Sequence, residues 1–476
     1  MHLHRPATRN RNQHQLGLAK AQSVLGALNG SDNEKRFFAA FRTATKAGVA
    51  IHTEHVSSFW TSLLPRIAHS NDAVKHATIA FGAAYHFFKT FKEGSNSLAT
   101  IRHKPENHGQ MHKLEYFITH NYNLAMRKLQ EHINSGEPDA VTIALTCCVI
   151  FIGLENLRFN HGEAIKHLTK GSQIIVKMID MDRLYGSASK PQQSHKPTRS
   201  LISDDDTMGM IECFRHLELS QRLFAFEVPL AVNRRLCQTM HSHANAVVPP
   251  YFSSLTQAHK IVSAFVTEVM STDYEATAQR GNSEFWASPS VKQRHRALFK
   301  RGISILERYQ TYMSSLDFSS IGSRERASYY QDILQTFSMQ GMIGMLPLPV
   351  MAQQHRRGTL GSIVHYAEKL LEEKKALTTH TDACLDYTME PGVIASLYYS
   401  WVYTDDPELK SKALRLMSES FGREGPWDGK SLFKLAQVYN DRYITETSEL
   451  SNTSSPRWGS DMDCLKLFAS LRITEW

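Results

Sequence analysis

The stretch AVTIALTCCVIFIGLENL, residues 140–157, decides the fold of this chain. Its only charged residue is Glu155, and its apolar residues surround the helical circumference instead of forming one stripe. A helix apolar on every side must be covered on every side, so this segment is expected to be the central core helix. Pro138 just ahead of it suits a first helical turn, where a missing N–H costs nothing. The strongly apolar part, Ala140–Leu154, is shorter than the ~20 residues that cross a bilayer, and no membrane span is expected. Cys147 and Cys148 lie inside it and read as small core residues.

Outward from this helix the apolar period stays helical. On the N-terminal side, Ile118, Tyr122, Ala125, Met126, Leu129 and Ile133 form a stripe at three- and four-residue spacing. Earlier, Ala73, Ala77, Ala80, Ala84 and Phe87 form another, whose small residues permit close helix contact. Asn71 is placed to cap that helix. Val56, Phe59, Trp60, Leu63, Leu64 and Ile67 give a third stripe, which Pro65 is expected to stop or kink. A polar loop is expected from about Lys92 to Gln110. On the C-terminal side Ala164, Leu168, Ile175 and Met178 continue the pattern.

Residues 184–207, rich in Ser, Pro, Lys and Asp, read as a flexible linker between two helical halves, 33–183 and 208–476. Helical periodicity resumes at Met208–Phe226, Ala258–Met270, Arg296–Met313, Ala327–Met339 and Ile363–Leu371. Asp406-Pro407 supplies a cap followed by a first-turn proline, and Leu409, Ala413, Leu416 and Met417 supply the buried face behind it. A polar segment, Thr445–Asp461, precedes a short final helix. Residues 1–32 read as a disordered basic leader, with Arg5, Arg9, Arg11 and Lys20 and no acid before Asp32. No run of alternating strand residues stands out. The expected fold class is all-α, a large helical body of successive packed helical hairpins.

Composition sets the outer bounds. Lys plus Arg number 54 against 46 Asp plus Glu, a formal charge of +8 that by itself does not establish nucleic-acid binding. The six cysteines contain no C-x-x-C pair, so neither a zinc ribbon nor a dithiol redox motif is available. Scattered free thiols suit a reducing compartment.

Several segments, taken in order, resemble the middle homology region of fungal-specific zinc-cluster transcription factors. Arg36-Phe37-Phe38 and Phe59-Trp60 are similar to its opening, and Asp72-Ala73-Val74-Lys75-His76-Ala77 to its second element. Ala144 to Cys148, running on through Phe151, Leu154-Glu155, Ala164 and His167-Leu168, resembles its central hairpin. Phe252-Ser253-Ser254-Leu255 with Ala258 resembles the start of its second half, and Arg423-Glu424-Gly425-Pro426-Trp427-Asp428 its C-terminal signature. The resemblance spans roughly residues 33–445. It implies a helical regulatory region whose relatives are controlled through protein partners and sometimes by small molecules. Val402–Asp406 departs from the Cys-Arg pair that relatives often carry there. More consequential, the first cysteine of this sequence is Cys147, so the six-cysteine cluster that carries DNA recognition in the family is lacking.

No residue pattern in the sequence points to chemistry: no catalytic, cofactor-binding or metal residue is expected. His52 and His55, and His108 and His112, have spacings that place two imidazoles together on a helix. The H-E-x-x-H arrangement is absent, and Pro105 and Gly109 make the second pair's setting loop-prone. His76 and His167 are read as structural. Asp204-Asp205-Asp206 is expected to be an acidic cap rather than a magnesium-diphosphate site. Glu424, Trp427 and Asp428 are read as a structural turn. Lys292, Arg294, Arg296, Lys300 and Arg301 form the densest basic stretch and read as a solvated helix face without interleaved aromatics. No G-x-S-x-G, Walker or G-x-G-x-x-G motif occurs.

The function expected from the resemblance is a transcription-factor-like regulator in the nucleus, or alternatively the cytoplasm. It would act on a specialised-metabolite pathway through a protein partner, either a DNA-bound factor or a second copy, with a small-molecule effector as a further partner. No cofactor, no membrane and no direct sequence-specific DNA binding are expected. The alternative is a biosynthetic enzyme on the same scaffold after loss of the DNA-binding domain, since fold does not fix function. A cysteine cluster encoded upstream would restore direct DNA binding.

Overall fold

A computed structural model describes residues 28–45, 58–92, 108–186, 204–224, 228–240, 248–279, 281–317, 320–345, 353–380, 387–390, 392–420 and 422–438. Apolar residues at three- and four-residue spacing become helices almost throughout. The N-terminal helices are α1 (Asp32–Ala44), α2 (Leu64–Ser70), α3 (Asp72–Lys92), α4 (His108–Asn134), α5 (Ala140–Leu157) and α6 (His161–Gly186). Then come α7 (Asp204–Phe224), α8 (Ala231–Met240), α9 (Leu255–Ala278), α10 (Ser283–Ala287) and α11 (Pro289–Ser314). The last are α12 (Ser323–Met345), α13 (Gln353–His380), α14 (Ile394–Tyr403), α15 (Pro407–Glu419) and a final helical stretch, 429–438. The all-α expectation holds.

The central helix behaves as its sequence demands. By length and apolarity α5 alone among the described helices could cross a membrane, but 78% of that window is buried inside the protein. It packs against α3, α4, α6 and α7. On α3 the alanine stripe lies in the core, and Gly82 brings α1 and α3 into backbone contact. A Cβ at Gly82 would fall 1.9 Å from the Phe37 carbonyl oxygen, so even alanine would force the helices apart. Asn71 caps α3, its Oδ1 accepting from the Ala73 and Val74 amides at 3.0 and 3.3 Å. Pro65 produces a junction instead of a stop. A π-helical turn, Phe59–Leu63, runs straight into α2, and the Leu64 N–H bonds Phe59 O. His76 meets Asn121 at 3.0 Å and His167 meets the Tyr122 hydroxyl at 2.7 Å, both tying α4 to its neighbours.

Element boundaries differ from the sequence reading in specific places. The polar loop ends before His108, because α4 begins there, so His108, Gly109 and Gln110 are helical. Pro138 precedes α5's N-cap, Asp139, instead of occupying its first turn. The linker is shorter at both ends, with 184–186 inside α6 and 204–207 inside α7. The middle of that linker, most of the basic leader and the 445–476 tail lie outside the described residues.

Three two-residue strands were not anticipated: β1 (Tyr387–Thr388), β2 (Arg423–Glu424) and β3 (Trp427–Asp428). β1 pairs parallel with β2, and β2 pairs antiparallel with β3 through a turn in which Gly425 takes φ +56°. Positive φ there is what glycine accommodates without a Cβ clash. The strands are too short to show alternation, which explains why the sequence pattern missed them. The sheet fastens the C-terminal part of the chain to helices α5 and α6. Tyr387 donates to Gly153 O of α5, and Arg423 donates to His161 of α6 while its guanidinium covers the Phe159 ring at 3.5 Å.

Three large apolar cores result among the described residues. The largest runs from α1 to α8 and includes Tyr387 and Met389. A second gathers α12 to α15 with Trp427, Leu432 and Ala436, and a third lies among α9, α11 and α12. Helix α7 serves more than one of them: Cys213, Phe214 and Leu217 belong to the first, Leu219 to the third.

Candidate functional site

Helices α11, α12 and α13 do not close completely on one another. Between them lies an open groove of about 810 Å³, within the range that holds a drug-sized molecule. Each helix offers it one stripe. From α11 come Phe299, Ile303, Leu306, Gln310 and Met313; from α12 Tyr329, Ile333, Phe337 and Gln340; from α13 His355, Gly358, Thr359 and Tyr366. The spacings are the helical three and four, so the groove is the seam where three amphipathic faces meet.

The walls are apolar and aromatic. Phe337 and Tyr366 stack at 5.6 Å between centroids with an interplanar angle of 19°. Burial raises the pKa of both Tyr329 and Tyr366, so both remain neutral phenols at physiological pH. The two other ionisable lining residues, Glu307 and His355, are exposed. One polar group stands out. Gln340 is only 3% exposed, and its Nε2 has no hydrogen-bond partner among the described residues. It packs where α11 has no side chain: a Cβ at Gly302 would meet Gln340 Cγ at 2.9 Å and Nε2 at 3.0 Å.

Behind the groove α12 presents a polar layer to α7 and α9. Asp332 accepts the Tyr309 hydroxyl at 2.5 Å and the His259 Nδ1 proton at 2.8 Å. The Asp332 charge raises the pKa of His259 against the opposing effect of burial. Close by, Arg215 donates to His216 Nε2 at 2.6 Å and to Thr267 at 3.3 Å, and pairs with Glu212 at 2.7 Å. Burial first, then the Arg215 charge, push the His216 pKa well down, so that ring is neutral and accepts at Nε2. Asp332, Tyr309, His259 and His216 do not line the groove. The layer is a hydrogen-bonded support for α12.

The residues singled out in the sequence are scattered. His52 and His55 lie outside the described residues. His108 and His112 both fall on α4, correcting the loop expected there. Among the described residues no three His, Cys, Asp or Glu side chains are grouped to hold a metal. Asp204, Asp205 and Asp206 open α7, and Asp206 pairs with Arg66 at 3.1 Å. Glu424 and Trp427 are buried in the hairpin. In the basic stretch Arg294 and Arg301 fold back onto Glu275 and Glu268 of α9. Lys292, Arg296 and Lys300 line a second, smaller hollow of about 450 Å³.

Sequence reading did not find the groove. It located the α11 and α12 faces as core stripes but had no means to show that a groove stays open beside them. The isolated Gly302 within a helical pattern was the available signal, since such a glycine often marks close approach. No protein-family model, curated protein or solved structure matches the chain. Its class therefore rests on its own geometry: an all-α protein with an open, largely apolar groove between three of its helices.

Proposed function

We propose that the chain is a transcription-factor-like regulatory protein that acts through protein partners, with the α11–α12–α13 groove as its effector site. The resemblance of its ordered segments to the fungal regulatory region supplies the role. It extends to a nuclear location, with the cytoplasm as the alternative, and to control of a specialised-metabolite pathway. The observation that carries the reading is the chemistry of the groove. Its walls offer apolar contact and neutral hydrogen bonding, and its ionisable edge residues are exposed, which suits recognition better than bond-making. The partner supplies DNA binding, because this sequence carries no six-cysteine cluster.

One observation favours the enzyme reading, the Tyr309–Asp332–His259 string, whose histidine is oriented by a carboxylate as a general base would be. That string is buried behind the groove and needs an opening to reach a substrate. Deleting the gene and measuring transcripts and metabolites separates the readings. A coherent set of altered transcripts is expected. Unchanged transcripts with an accumulated intermediate would overturn the regulator in favour of the enzyme.

A further inference from the structure

The basic residues between Lys292 and Arg301 divide into two sets. Arg294 pairs with Glu275 and Arg301 with Glu268, both of α9, so these two fasten α11 to its neighbour. Lys292, Arg296 and Lys300 pair with no carboxylate among the described residues. Arg296 and Lys300 are exposed and Lys292 is half-buried, and all three line the hollow of about 450 Å³. Their i, i+4, i+8 spacing repeats about every 6 Å along α11 and keeps them on one side of it. Successive phosphates of a nucleic-acid strand lie a comparable distance apart through space.

The rest of the lining narrows the partner. It consists of Gln293, Pro289 and two alanines. No acid is there to repel an anion. No large apolar side chain is there to enter a bilayer, and no aromatic to stack an unpaired base. A membrane and a single strand therefore fit less well than a duplex, whose bases are turned inward. An acidic peptide would meet the same charges without the fixed spacing. Gln293 adds a neutral donor of the kind that contacts phosphate oxygens. Pro289 is the first residue of α11, and Ser288 gives that end no side-chain cap, so the positive end of the helix dipole adds to the attraction.

We propose that this face of α11 binds the backbone of duplex DNA, with one phosphate at each of Lys292, Arg296 and Lys300, without reading its sequence. Backbone contacts position a protein and base contacts specify the site. Sequence selection stays with the DNA-bound partner, and the stripe holds this chain against the duplex beside it. The choice of DNA rests on the regulator reading. Binding is measured on the purified full chain, apart from transcripts, so either can fail alone.

The test is fluorescence anisotropy of a labelled DNA duplex titrated with the full chain between about 50 and 200 mM salt. Three neutralised phosphates give a slope of about −2.7 in log affinity against log salt, a loss of about 40-fold over that range. Two duplexes of unrelated sequence should bind alike. The triple variant Lys292→Gln, Arg296→Gln, Lys300→Gln should lose saturable binding. Lys113→Gln, Arg127→Gln, Lys170→Gln removes the same charge from exposed positions on α4 and α6. It should stay within about twofold of wild type, since distant charges are screened. Each single variant of the stripe should lower the slope by about 0.9, which keeps the test decisive if the triple variant folds poorly. Absence of binding at the lowest salt, or equal losses in the two triple variants, would overturn the proposal. So would stripe-dependent binding that favours duplex RNA, polyglutamate or phosphatidylserine vesicles over duplex DNA.

Discussion

Glu218 and Glu424 are both buried, both cap the start of a helix, and both do so from a distance. Glu218, on α7, accepts from the Val232 and Asn233 amides at the start of α8, each at 3.0 Å, and from the Asn233 side chain at 2.9 Å. Glu424, in β2, accepts from the Val393 and Ile394 amides at the start of α14 at 2.9 and 2.8 Å. Each satisfies orphan N–H groups that a local Ser, Thr, Asp or Asn would ordinarily take. They differ in company. Glu424 has the buried Lys374 Nζ at 3.6 Å, whereas Glu218 pairs with no cation among the described residues. For Glu218 burial outweighs its hydrogen bonds and raises its pKa. The same cap is thus a charge-balanced fastening at one place and a proton-sensitive one at the other.

The largest expected effect tests the fastening. Glu424→Ala strands two backbone donors and leaves Lys374 as a buried unpaired charge, which should cost about 3–5 kcal/mol in denaturant unfolding. Adding Lys374→Met to Glu424→Gln should recover part of the loss, and a double-mutant cycle showing no coupling would remove the distinction between the two caps.

Asp332 sharpens the comparison as a third buried carboxylate, this one facing a histidine. Asp332→Asn is expected to cost about 2–3 kcal/mol at pH 6, since it removes a charged acceptor from both His259 and Tyr309. The sign with pH follows from a His259 pKa raised above 6.5 chiefly by the Asp332 charge. That stabilisation is complete below about pH 6.5 and is lost as pH rises through the folded-state value. The gap between wild type and variant should therefore narrow on going to pH 9, and a gap constant with pH would count against the ion pair.

Glu218→Gln keeps one acceptor and removes a costly charge, so its net effect should be about 1 kcal/mol. Here the pH sign is distinct. With a folded-state pKa above the usual 4.5, the native protein holds this proton longer than the unfolded chain does. Its contribution is most favourable below 4.5 and declines as pH rises through the raised value. Melting curves from pH 4 to 8 should fall less steeply for Glu218→Gln than for wild type; parallel curves would mean Glu218 is balanced after all.

The smallest effect comes from a local cap. Asn71→Ala, which deprives the Ala73 and Val74 amides of their acceptor, should cost about 1 kcal/mol. A loss as large as that of Glu424→Ala would show that remoteness and charge add nothing to a cap.

Legibility in the sequence followed the range of the interaction. Asn71 and Asp406 could be assigned as caps because each bonds amides two and three residues ahead. Helix α8 went unrecognised, as did α14: their caps lie 14 and 31 positions away in sequence, and no local signal announces them. The signature at 423–428 was recognised as a structural turn. Its partners, Tyr387, His161 and the α14 amides, come from other parts of the chain. The groove was invisible for the same reason. A stripe of apolar residues states that a face will be covered, and says nothing of how completely.

What the sequence determined by itself is therefore the helices, their buried faces and their local caps. An all-round apolar segment at 140–157 has no low-energy place except the interior, and three- and four-residue spacing allows only one regular structure. What the tertiary structure alone decided is that a groove stays open where helices α11, α12 and α13 meet. It also decided which distant carboxylates finish the helices, and that the buried Gln340 side-chain nitrogen has no hydrogen-bond partner among the described residues. Those outcomes depend on how whole faces meet, a matter of packing volume and long-range geometry that no local period encodes.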